Sequence, residues 1–122
     1  MDQKKILIVE DSPTDMRMVA AALQQTGREI ITATDGDEAI AIAKKEHPGL
    51  VLLDVILPRK NGFQVCRDLK NSPETKDIPV IIITSKTQDS DRFWGMRQGA
   101  VEYLTKPYAD KDLLAAVARH IS

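Results

Sequence analysis

Three stretches of the chain are apolar without interruption: Ile6 to Val9, Leu50 to Leu53 and Val80 to Ile83. They are short, rich in β-branched residues and do not alternate with polar positions. Each therefore predicts a strand buried on both faces, as in a parallel sheet covered by helices. Glu29 to Ala33 and Glu102 to Thr105 are short and partly polar, which suits strands at a sheet edge.

Between these runs the apolar spacing becomes helical. Ser12-Pro13-Thr14-Asp15 combines an N-cap serine, a proline at the first helical position and an acid at the third. Met16, Val19, Ala20 and Leu23 follow on one face, and Gly27 closes the segment. Asp35-Gly36-Asp37-Glu38 opens a second helix that stops before Pro48. Asn61 caps a third, with Phe63, Cys66 and Leu69 inward, and Asn71-Ser72-Pro73 breaks it. A fourth runs from about Asp89 to Gln98 and ends at Gly99; Asp110 opens the last, with Leu113, Leu114, Val117 and Ile121 inward. Strand and helix thus alternate five times. Right-handed crossovers turn that pattern into an open α/β sheet with helices on both faces, although the strand order is not readable from it.

Length and composition fit this picture. At 122 residues the chain predicts one domain over 1–122, able to build a core without disulfides or structural metal. Its 17 basic and 18 acidic residues give a net charge of −1, so no overall field draws in nucleic acid or a membrane surface. One cysteine, Cys66, excludes an internal disulfide and a cysteine-based zinc site. No apolar run reaches the length of a signal peptide core or a membrane span, so the expected location is cytoplasmic. The last helix ends next to Ser122, so output is expected through protein–protein contact rather than a second domain.

In a parallel α/β sheet, ligands bind beyond the carboxyl ends of the strands. Those ends carry Glu10-Asp11, Asp54, Thr84-Ser85 and Thr105-Lys106-Pro107. Three carboxylates, a hydroxyl and one ammonium converge if the sheet is parallel. Carboxylates so placed repel one another, and a divalent cation relieves the repulsion. Oxygen-only ligation points to Mg²⁺ rather than zinc or copper. Asp54 has a second use, because a carboxylate can attack phosphorus to form an acyl phosphate. Lys106 and Mg²⁺ would supply positive charge and Thr84 a hydrogen bond.

Glu10-Asp11, Asp54-x-x-x-Pro58-x-x-x-Gly62, Thr84 and Tyr103-x-x-Lys106-Pro107 together resemble the receiver domain of bacterial response regulators. The resemblance covers about Lys4 to Ile121. It implies a flavodoxin-like five-stranded sheet in the order 2-1-3-4-5 and phosphorylation of Asp54 by a sensor histidine kinase. It also implies a cis Lys106-Pro107 peptide, the backbone carbonyl of Ile56 as a further Mg²⁺ ligand, and Tyr103 as a switch residue that turns inward when Thr84 moves. Arg92 and Met96, one turn apart, would join Tyr103 and the last helix in a surface for a downstream protein. A narrower similarity, in Thr84-Ser85-Lys86 and in Asp91 to Ala100, is to receivers of the PilH type, linked to type IV pilus chemosensory systems and twitching motility. Apolar Ile56 and basic Lys86, two residues beyond Asp54 and Thr84, depart from other chemotaxis receivers, so the family's dephosphorylation rate does not carry over.

Simpler roles compete for single residues. Glu10 and Asp11 taken alone read as turn formers, Lys106 as a solvated lysine, His47 and His120 as surface residues, and Cys66 as a small core residue. Trp94 lies about 100° around its helix from Phe93; it either covers a neighbouring helix or stands exposed to a partner. Among whole functions, a haloacid-dehalogenase-type phosphatase would also use Asp54, but it needs a second acid where Ile56 stands. A flavodoxin would place phosphate in the first loop, where Glu10, Asp11 and Asp15 repel it. The chain contains neither a P-loop nor a G-x-G-x-x-G sequence.

Overall fold

A computed structural model describes residues 4–121. All five expected strands form: β1 (Ile6–Val9), β2 (Ile30–Ala33), β3 (Leu50–Leu53), β4 (Val80–Thr84) and β5 (Glu102–Thr105). They make one parallel sheet in the order β2-β1-β3-β4-β5. Five α-helices join them: α1 (Pro13–Leu23), α2 (Gly36–Glu46), α3 (Gly62–Asn71), α4 (Asp89–Arg97) and α5 (Asp110–His120).

The helix starts follow the capping chemistry. Ser12, Asp35 and Asn61 each accept a hydrogen bond from the backbone N–H three residues on, which satisfies a donor that the first turn leaves free. The C-terminus of α1 differs from expectation. The α-helix stops at Leu23, and a 3₁₀ turn (Gln24–Thr26) carries the chain to Gly27, whose φ of 70° ends it.

Alternate residues of each buried strand face opposite layers. Ile6, Ile8, Leu50, Leu52, Ile81 and Ile83 pack with Val19, Leu23, Leu113 and Val117 of α1 and α5. Leu7, Val9, Val51, Leu53, Val80 and Ile82 pack with Ala39, Ala43, Val65, Cys66 and Leu69 of α2 and α3. Continuous apolar runs are thus what a sheet with two covered faces demands. Leu114 and Ile121, expected inward, are only half-buried at the margin of their layer, while Ala116 is fully buried.

Helix α4 is covered least. Of its residues only Gly95 is buried, while Phe93, Trp94 and Met96 are exposed. A Cβ at position 95 would press on Ile82 and on the ring of Tyr103, so the glycine lets α4 lie close to the sheet. Trp94 both stands half-exposed and lines a shallow groove with Arg67 and Asn71 of α3. The expectation of two surface histidines needs correction. His47 is exposed, but His120 is partly buried and lies 3.2 Å from the carboxylate of Glu102. No helix among the described residues is long and apolar enough to cross a membrane.

Candidate functional site

The strand order reverses at β1 and β3: the chain leaves β1 toward β2 and returns on the other side to β3. Helix α1 follows β1 on one face of the sheet and α3 follows β3 on the other, so the carboxyl ends of β1 and β3 flank a crevice. The residues that follow them, Glu10 and Asp54, are buried there although both are acidic.

Lys106 is what makes their burial tenable. Its Nζ donates to Glu10 Oε1 at 2.7 Å, Asp15 Oδ2 at 2.8 Å and Asp54 Oδ2 at 2.9 Å. Burial disfavours the ammonium, but the three carboxylates outweigh that cost and leave its pKa above the ordinary lysine value. Glu10 shows the opposite balance. Burial pushes its carboxyl above the usual range, and hydrogen bonds from Lys106 and the Ser12 N–H only partly restore it. Lys106 is therefore not the solvated lysine that its position alone suggested.

Asp54 is held from both sides. Oδ2 takes the lysine, and Oδ1 accepts the backbone N–H of Ile56 at 2.9 Å. The loop that carries that amide returns tightly, with Gly62 N–H donating to Val55 O at 2.9 Å. A Cβ on Gly62 would fall on the Asp54 carbonyl and the Val55 Cα, both backbone and unable to yield. Gly62 is thus required by the close approach of the first turn of α3 to the Asp54 backbone.

Thr84, at the end of β4, is fully buried, and its hydroxyl oxygen accepts the Lys86 N–H at 3.4 Å. Tyr103 on β5 is also buried, with its hydroxyl donating to Lys86 O at 2.8 Å. Tyr103 therefore already lies inward in this structure, without the prior motion of Thr84 that the sequence reading assumed. Arg92 is drawn to it: the guanidinium sits 5.1 Å from the ring centroid, and Nη1 donates to Tyr103 O at 2.9 Å. Met96 remains exposed on the same helix. The Lys106-Pro107 peptide is cis.

A hollow of about 240 Å³ opens over Asp54, lined by Glu10, Asp11, Ser12, Asp15, Asp54, Ile56, Ser85 and Lys106. Asp11 is exposed at its rim. Among the described residues no three carboxylates stand as a ready metal cage; the ammonium of Lys106 lies among Glu10, Asp15 and Asp54 instead. The donor set nevertheless suits a hard cation. Four carboxylates face one ammonium, and neither histidine nor cysteine lines the hollow.

Sequence reasoning missed Asp15 as a member of the site. It was read as an acid that favours the first turn of α1, and its N–H does bond to the Ser12 hydroxyl oxygen. The available signal was its position in that turn, immediately after the acidic end of β1, where a side chain overhangs the strand ends.

Residues 6–118 match the model of the response regulator receiver domain. Protein PilH of Pseudomonas aeruginosa is 46% identical over 113 residues, which cover 93% of each chain. The chemotaxis response regulator CheY4 of Vibrio cholerae superposes with a TM-score of 0.89 at 32% identity, over 98% of this chain and 99% of that one. The receiver domain of sensor histidine kinase PA1611 from Pseudomonas aeruginosa PAO1 superposes with a TM-score of 0.89 at 26% identity, over 97% of both chains; its structure has a magnesium ion coordinated in the active site cleft.

Proposed function

Because the chain belongs to the response regulator receiver domain family, we propose that Asp54 accepts a phosphoryl group from a sensor histidine kinase. A single observation carries this reading. Asp54 is a buried carboxylate at the seam of the sheet, positioned on one oxygen by the Ile56 amide and on the other by Lys106.

In the transfer, one carboxylate oxygen of Asp54 attacks phosphorus, a P–O bond forms, and the P–N bond to the kinase histidine breaks. Lys106 offsets the negative charge that arrives, and the Thr84 hydroxyl donates to a phosphoryl oxygen. Glu10, Asp11, Asp54 and the carbonyl of Ile56 would hold Mg²⁺. When bound, that ion neutralises charge on the phosphoryl oxygens. The same site then returns the phosphoryl group to water, so the protein is a switch and not a metabolic enzyme. It acts as a domain spanning 1–122, in the cytoplasm, and passes its state to a downstream protein. The likeness to PilH supports a place in type IV pilus chemosensory control.

The phosphatase alternative finds no support. Position 56 is an isoleucine, whose side chain has no proton to give, and its amide serves to hold Asp54 Oδ1.

The test is incubation with a small acyl-phosphate donor and Mg²⁺, followed by intact-mass measurement. One phosphate is expected on the wild type, and none on Asp54→Asn or without Mg²⁺. Full labelling of Asp54→Asn would overturn the assignment.

A further inference from the structure

Lys106 has three N–H donors, and all three are committed to carboxylates: Glu10, Asp15 and Asp54. A phosphoryl oxygen on Asp54 that draws on Lys106 competes with these acceptors for it. Burial decides which one yields. The Glu10 side chain is 6% exposed and its second oxygen already accepts from Ser12, so water screens its hold on Lys106 little. Asp54 carries the phosphoryl group itself. The Asp15 side chain is 38% exposed, so its freed carboxylate is rehydrated at once.

We propose that Asp15 is a positioning residue: it holds the Lys106 ammonium toward α1 and competes for it with the phosphoryl group on Asp54. This inference rests on the reading of Asp54 as phosphoacceptor. The backbone favours the hold. Pro13 and the Ser12 cap order the first turn of α1, and Asp15 is the third helical residue, tied through its N–H to Ser12 Oγ at 3.2 Å. Lys106 is 91 residues away in sequence, at the end of β5. The contact thus ties α1 to the loop after β5 across the mouth of the site. Breaking it is the cost that a phosphoryl group meets in recruiting Lys106, and that cost weakens the hold of the site on the group.

The test uses beryllofluoride, a phosphoryl mimic that binds aspartate, titrated into the full chain at saturating Mg²⁺. Asp15→Asn keeps the shape and removes the charge; it is expected to bind beryllofluoride about fivefold more tightly than wild type, the worth of one partly exposed ion pair. Asp15→Glu restores a carboxylate within reach and is expected to return affinity toward the wild-type value. A merely structural Asp15 would lower thermal stability in Asp15→Asn without raising affinity. Equal or weaker binding by Asp15→Asn therefore overturns the proposal. Failure of the wild type itself to bind would instead overturn the reading of Asp54, and this inference with it.

Discussion

The hydroxyl of Tyr103 donates to the backbone carbonyl of Lys86 at 2.8 Å, which latches the ring on β5 to the segment that leaves β4. The Lys86 N–H donates in turn to the Thr84 hydroxyl oxygen. Residue 86 is thus bonded through its amide to the Thr84 side chain at the end of β4, and through its carbonyl to the aromatic ring under α4. The two bonds connect the end of β4, the strand next to β3, with a helix whose exposed side chains include Phe93, Trp94 and Met96.

Tyr103→Phe keeps the ring in its layer and removes only the latch. The expected cost is about 1 kcal/mol of folding stability, the net worth of one neutral hydrogen bond. Urea denaturation measures it, and hydrogen exchange at residues 85–88 should quicken. Unchanged exchange there would show that the latch does not order the segment.

Thr84→Ala leaves Asp54, Lys106 and the carboxylates in place, so phosphorylation by a small donor is expected to persist. What it should lose is the gain in partner affinity on phosphorylation. Conformational bias needs only about 1.4 kcal/mol to change a ratio of states tenfold. The comparison is partner binding with and without phosphorylation, in both proteins. An equal gain in Thr84→Ala would remove Thr84 from the relay.

Lys106→Ala leaves Glu10 and Asp54 buried without their cation. The expected loss at neutral pH is about 2 kcal/mol, below the full penalty of a broken buried pair because the lysine side chain is partly exposed. The pH dependence has a definite sign. Glu10 already titrates above its ordinary value, and removing Lys106 raises it further. A carboxyl whose native pKa exceeds its unfolded pKa binds more protons when folded, so stability falls as pH rises between the two. The variant should therefore lie closer to wild type at about pH 5 than at about pH 8. Denaturation curves at both pH values check this, and a larger deficit at the lower pH would contradict it.

Gly62→Ala places a methyl group against the Asp54 carbonyl and Val55 Cα. Backbone cannot rotate aside as a side chain can, so the loop after β3 must shift. The expected cost is about 2–3 kcal/mol, with slower labelling of Asp54 because the Ile56 amide moves with the loop. A stability loss with unchanged labelling would show that the Ile56 contact does not position the carboxylate.

The strands and most helix ends were legible in the sequence because they depend on local chemistry. A run such as Val80 to Ile83, apolar at every position, has no stable place except between two layers. Ser12, Asp35 and Asn61 satisfy donors three residues away, within reach of a reader who sees only neighbours. Carboxylates at the ends of β1 and β3 could likewise be placed on one edge once the strands were parallel. The strand order was accessible only through family likeness, since parallel crossovers do not reveal which strand lies beside which. Asp15, His120 and Tyr103 needed the tertiary structure. Asp15 looked like a helix-start acid until packing brought Lys106 to it from β5, and His120 looked exposed until Glu102 met it from the neighbouring strand. The inward set of Tyr103 depends on a carbonyl 17 residues away and on Gly95 letting α4 approach. Each of these is decided by long-range closure of the sheet, where one side chain's burial depends on residues that share no local pattern with it.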